Sequence, residues 1–135
     1  MIDWPLEIPK IMNQSLLHGV DPFFMASIRK SENGAPGREF GVLDHKADTY
    51  DLQLQVSCAT VRNQISRFST TLYQTKQFDY GYRICYTTGF IISLQKIYAP
   101  NNVSNDPTNL NKNWTTNVME AYNTFCSQGK IEERH

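Results

Sequence analysis

The stretch DPFFMASIRKSENGAPGREFGVL, residues 21–43, governs the reading of the whole chain. Asp21 is a helix N-cap, and Pro22 suits the first helical position, where its missing N–H is no loss. Phe24 and Ile28, with Phe23 before them, give the apolar stripe of a helix running to about Ser31. Gly34, Pro36, Gly37 and Gly41 then break the chain into a glycine-rich loop. Glu32 stands at the C-terminal end of this helix, directly before the loop. A helix end carries partial negative charge, which disfavours an anion there, and desolvation acts in the same direction. Both raise the carboxyl pKa and fit it to donate a proton near neutral pH. The structural alternative is a surface Glu at a fraying helix end, since surface acids are the commoner case.

Downstream, the spacing predicts a long helix from Tyr50 to Phe68. Leu54, Cys58, Val61, Ile65 and Phe68 follow at steps of 4, 3, 4 and 3, which is one helical face. Asp48 or Thr49 can cap it. Residues 69–83, with Tyr73, Phe78, Tyr80, Gly81 and Tyr82, read as a loop or short irregular hairpin. Residues 84–98 read as a helix bearing Ile84, Cys85, Phe90, Ile91, Leu94 and Tyr98. Two prolines and six asparagines make residues 100–113 irregular. Trp114, Val118, Tyr122 and Phe125 mark a last helix over about 114–127. Upstream, residues 9–19 read as a first helix, started by Pro9, closed by Gly19, and turning Ile11, Leu16 and Leu17 inward. The sum is one mainly α domain over residues 1–135 with long irregular loops, which in a small domain are commonly functional.

Thirteen Lys and Arg balance thirteen Asp and Glu, so net charge gives no argument for nucleic acid or an anionic membrane as partner. No run approaches the roughly 20 apolar residues of a membrane span, so no membrane insertion is expected. The opening MIDWPLEIPKIMNQS has acids and a proline where a signal peptide would be basic and then apolar. Cys58, Cys85 and Cys126 are odd in number, widely spaced and set among apolar neighbours, and read as three buried reduced thiols. His18, His45 and His135 lack ligand spacing, so no metal is expected. Eleven Asn, eight Gln and eleven Thr offer uncharged hydrogen-bonding groups that suit a sugar, although an AT-rich genome would also encode them.

The run FMASIRKSENGAPGREFGVL, residues 24–43, resembles the active-site segment of lysozyme-like lytic transglycosylases, and most of all a small bacteriophage and prophage form. In that family the catalytic Glu ends a helix. A glycine-rich turn follows, then a short Gly-hydrophobic-hydrophobic segment lining the cleft. Here these are Glu32, Gly34 to Gly37, and Gly41-Val42-Leu43. TYDLQLQVSCATVRN (49–63) is similar to the family's next helix, FIISLQKIYAP (90–100) to the helix bearing a cleft Tyr, here Tyr98, and NDPTNLNKNW (105–114) to the Asn-rich segment of the small form. The chain departs from the pattern at Asn33-Gly34, where Ser-Gly is usual, and at Leu43-Asp44, where Met-Gln is absent.

The resemblance implies a lysozyme-like fold with a substrate groove, and cleavage of the β-1,4 bond between N-acetylmuramic acid and N-acetylglucosamine in peptidoglycan glycan strands. Glu32 would protonate the leaving oxygen as the bond passes through an oxocarbenium-like state. The ionised Glu32 would then take the proton of the muramic acid 6-hydroxyl as it attacks C1, giving a 1,6-anhydro product. No cofactor or metal enters, and a monomer suffices. A hydrolase would add a second carboxylate, for which Asp44 and Glu39 are the candidates. Glu39 beside Arg38 also reads as a tie holding the loop. Arg38 itself either meets stem-peptide carboxylates or makes a surface salt bridge. Gly41, Val42, Leu43, Tyr98, Asn105 and Asp106 are expected to bind substrate. Tyr98 equally fits a core tyrosine and Asp106 a turn former before Pro107. Tyr73, Phe78, Tyr80 and Tyr82 either stack on sugar rings or pack their own loop. The lack of a signal peptide fits a phage lysin released through a pore, or a virion-borne domain, made in the cytoplasm and acting on the envelope. From another class, an inactive virion or secretion-apparatus component would share the fold.

Overall fold

The computed structural model describes residues 2–74, 88–98 and 113–131, except for the side chains of 69–74, 88 and 98. These residues form five helices and no strand: α1 (Trp4–His18), α2 (Pro22–Glu32), α3 (Tyr50–Gln74), α4 (Thr88–Tyr98) and α5 (Trp114–Gln128). The mainly α class expected from periodicity is what the chain adopts. Helix α2 lies at the centre, packed chiefly on α5 and also on α1, while α3 bridges α1 and α4. Phe24, Met25 and Ile28 of α2, Leu54, Cys58 and Val61 of α3, Phe90 and Leu94 of α4, and Val118 and Phe125 of α5 share one apolar core.

The start and stop of α2 follow from local chemistry. The Asp21 carboxylate accepts the Phe23 N–H at 2.8 Å, and Pro22 fills the first turn. At the other end Asn33 turns into the left-handed region (φ 42°) and its N–H reaches the Arg29 carbonyl at 2.9 Å. Asn tolerates that backbone better than most side chains, so it can end a helix as Gly does. Two polar bonds clamp α2 against α5. The Tyr122 hydroxyl donates to Asp21 at 2.6 Å near the start of α2, and the Trp114 indole N–H donates to Glu32 at 2.7 Å at its end.

Helix α1 departs from the expectation. It begins at Trp4, capped by Asp3, with Pro5 in its first turn and Pro9 inside it. Leu16 and Leu17 point to solvent, 69% and 71% exposed, rather than inward. The inward face is Trp4, Glu7, Ile11 and Ser15. Two of these four are polar, so hydropathy alone favours the wrong side. Glu7 is tolerated there because Arg29 donates to it through Nε at 2.7 Å and Nη2 at 3.3 Å, and the Tyr50 hydroxyl adds a bond of 2.8 Å. Burial would raise the Glu7 pKa, but the bonds from Arg29 and Tyr50 outweigh it and hold the carboxyl below its ordinary value. One buried cluster thus joins α1, α2 and α3.

Helix α3 starts where Thr49 accepts the Leu52 N–H, which selects Thr49 over Asp48 as its cap. It continues through Gln74, so residues 69–74, read from sequence as loop, are helical. Cys58 is buried and its thiol is pushed up to about 12 by desolvation, as an inert core cysteine. Cys126 is exposed, which corrects the expectation of a buried thiol, while Cys85 lies outside the described residues. Among the described residues no helix is long and apolar enough to cross a membrane.

Candidate active site

Glu32 is the last residue of α2 and its carboxyl is largely withdrawn from water. Desolvation raises its pKa above the ordinary value, and the Trp114 bond to Oε1 pulls partly the other way. Desolvation thus acts on Glu32 in the direction expected from sequence, and the indole bond is a further influence that sequence did not reveal.

Gly41 closes the other side. A side chain there would place its Cβ 2.4 Å from Glu32 Cδ and Oε2 and 2.8 Å from Oε1. Only a residue without a Cβ can approach a carboxylate that closely, and Gly41 also adopts φ +73°. The loop presses Gly41 onto Glu32 because Gln53, fully buried on α3, bonds the backbone on both flanks. Its Oε1 accepts the N–H groups of Phe40 at 3.2 Å and Val42 at 3.1 Å. Its Nε2 donates to the carbonyls of Val42 at 2.9 Å and Ala47 at 2.6 Å. Phe40, also fully buried, packs edge-on against Tyr50. Where the loop turns, Gly34 lies so close to the Arg38 carbonyl that a Cβ would fall 1.7 Å from its oxygen.

The remaining candidates separate by environment. Glu39 is buried and accepts the Gly37 N–H at 3.0 Å, so it ties the loop. Arg38 donates to the carbonyls of Gly37 at 2.7 Å and Ala47 at 2.9 Å, which is a loop staple in place of the expected surface ion pair. Asp44 is exposed, caps a turn by accepting the Lys46 N–H at 2.9 Å, and lies 3.9 Å from the exposed His45 ring. Val42 is half-buried on Gln53, and Leu43 is 82% exposed. The structure thus brings Gly41 to Glu32. It brings neither Glu39 nor Asp44 into hydrogen bonding with it. Asn105, Asp106, Phe78, Tyr80, Tyr82 and the side chains of Tyr73 and Tyr98 lie outside the described residues.

Two residues that sequence reasoning passed over matter here. Trp114 looks like one more apolar position on α5, and nothing in its spacing reveals that its N–H reaches an acid 82 residues away. Gln53 sits at a core-facing position one before Leu54, and a polar residue on that face was the available signal. A polar cavity of about 340 Å³ lies between α2 and α5, lined by Lys30, Ser31, Asn117, Glu120, Ala121 and Thr124, and not by Glu32, Gly41 or Trp114. Among the described residues no three His, Cys, Asp or Glu side chains converge as metal ligands would.

Comparison with known protein families, curated proteins and solved structures yields no match to this chain.

Proposed function

We propose that this chain is a peptidoglycan lytic transglycosylase acting on the bond between N-acetylmuramic acid and N-acetylglucosamine. The observation that carries the reading is the state of Glu32: a desolvated acid with a raised pKa, one oxygen held by Trp114, with glycine backbone against the other. Such an acid stays protonated to higher pH than a surface carboxyl, as a proton donor must. The sequence resemblance of residues 24–43 supplies the substrate class. In the reaction, Glu32 gives its proton to the leaving oxygen as the C1–O4 bond breaks. The 6-hydroxyl oxygen then bonds C1 and returns its proton to Glu32, so no water is consumed. One carboxyl serves both steps, in keeping with Asp44 in an exposed turn and Glu39 committed to the loop. The lysozyme-like groove, a monomer as the working form, and release as a phage lysin or carriage in a virion belong to the same proposal.

The test is mass spectrometry of the muropeptides released from purified cell walls by wild type, Glu32→Gln and Asp44→Asn. Anhydro products, about 18 Da lighter than hydrolysed ones, are expected from wild type. Glu32→Gln is expected to lose about 10²–10⁴-fold or more in rate, and Asp44→Asn far less. Reducing-end products with equal collapse of both variants would replace the reading by a muramidase. No release by any of the three would replace it by an inactive component with this fold.

A further inference from the structure

We propose that Trp114 is a positioning residue that gives the two oxygens of Glu32 different duties, Oε1 as a fixed acceptor and Oε2 as the carrier of the transferable proton. The inference rests on the role of Glu32 proposed above. The indole Nε1–H is a donor with no acceptor capacity. It lies 2.7 Å from Oε1, a short charge-assisted distance. A proton on Oε1 along that line would face the indole hydrogen, so the neutral acid carries its proton on Oε2. Oε2 is the oxygen nearer the space a Gly41 side chain would fill, 2.4 Å from where a Cβ would stand against 2.8 Å for Oε1, and glycine leaves that space open. The indole cannot swing away, because Trp114 is 3% exposed and begins α5. The hydroxyl of the next residue, Thr115, donates to Gln95 of α4, which holds that end of the helix.

The charged groups of the surrounding elements are engaged elsewhere. Arg29 is paired with Glu7, Lys30 lies over the Phe125 ring, Arg38 holds loop carbonyls and Glu39 holds the Gly37 N–H. Glu120 of α5 and Asp44, His45 and Lys46 of the loop are exposed. Burial raises the Glu32 pKa and the indole bond lowers it. The two act in opposition: burial favours the acid that starts the reaction, and the indole favours the anion that finishes it. Trp114 therefore sets where between these limits Glu32 titrates.

Trp114→Phe keeps most of the ring volume and removes the N–H. The measurement is a ¹³C NMR titration of the Glu32 side-chain carboxyl, assigned by its loss in Glu32→Gln. The Glu32 midpoint is expected to rise by about one pH unit in Trp114→Phe, from loss of one hydrogen bond to the anion. The alkaline limb of the activity profile should move up by the same amount. In wild type the Trp114 indole proton resonance should shift with the Glu32 midpoint, which tests the coupling even if the Phe variant does not fold. An unmoved Glu32 midpoint in a folded Trp114→Phe, or an indole resonance flat through the Glu32 titration, overturns the proposal. Because these readouts need no substrate, coupling seen in a protein inert on cell walls upholds the Trp114–Glu32 pair and discards only the activity. Lysis without coupling does the reverse.

Discussion

Replacing Gly41 by alanine probes the contact between loop and acid directly. The new Cβ would lie 2.4 Å from Glu32 Cδ and Oε2, against an ordinary contact of 3.4 Å or more. The carboxylate is the movable partner, so relief comes by rotating Glu32, and that breaks its 2.7 Å bond to Trp114. A hydrogen bond to a charged group contributes about 1.5–3 kcal/mol. Holding alanine at φ +73° costs about 1–2 kcal/mol more. The sum is about 2.5–5 kcal/mol of stability. Gly129 supplies the control: its φ is +69° and a Cβ there meets nothing within 4 Å, so Gly129→Ala should cost only the strain of about 1–2 kcal/mol. Urea denaturation of Gly41→Ala in wild-type and Glu32→Ala backgrounds completes a cycle. With the carboxylate gone, Gly41→Ala should fall to the Gly129→Ala level, a coupling of about 1.5–3 kcal/mol. Equal costs in both backgrounds would refute the contact. In lysis, Gly41→Ala should lose about 10²-fold or more, because a displaced acid no longer meets its leaving oxygen.

Three further outcomes follow from the buried polar groups. Gln53→Leu leaves two N–H groups and two carbonyls of the loop without their side-chain partner, and should cost about 3–4 kcal/mol by urea denaturation. Glu7→Gln breaks a buried pair and should cost about 3–5 kcal/mol at neutral pH. Since Glu7 is held below its ordinary value of 4.5, its contribution is present above that pH and disappears as pH falls through the folded value, so melting curves of wild type and variant should converge in acid. Glu32 has the opposite sign. Its raised pKa makes the folded state favour the proton, and the penalty on the anion grows as pH rises above 4.5. Glu32→Gln should therefore melt at or above wild type at pH 7 and lose any advantage below about 4.5.

Periodicity was sufficient for α2, α5 and the first part of α3, where one face is apolar: Asp21-Pro22 starts α2, and the 4-3-4-3 stripe of α3 is buried through Ile65. It misread α1 because Glu7 and Ser15 face inward while Leu16 and Leu17 face water. The burial of Glu7 depends on Arg29 and Tyr50, which lie on other helices and leave no mark in local spacing. It ended α3 early because the polar residues 69–74 read as loop, whereas the helix continues through them. At the site, Glu32 and Gly41 were legible because a helix end and a glycine-rich turn are local features. The roles of Trp114 and Gln53 were not, since each depends on a partner supplied by tertiary packing. Glu39 holds the loop, as one of its two sequence readings had it, whereas Arg38, read as a surface ion pair or a substrate contact, is bound to loop carbonyls instead.

The bond between Glu32 and Trp114 also imposes an order on synthesis. The two residues are 82 positions apart, and ribosomes add about 5–20 residues per second, so the acid is made roughly 4–16 s before its partner. Over that interval Phe24, Met25 and Ile28 of α2 lack the α5 surface that later covers them. A nascent chain that has not reached residue 114 therefore carries the acid on an unfinished core, without the indole N–H that holds its Oε1. Completion of the site coincides with completion of the hydrophobic interior.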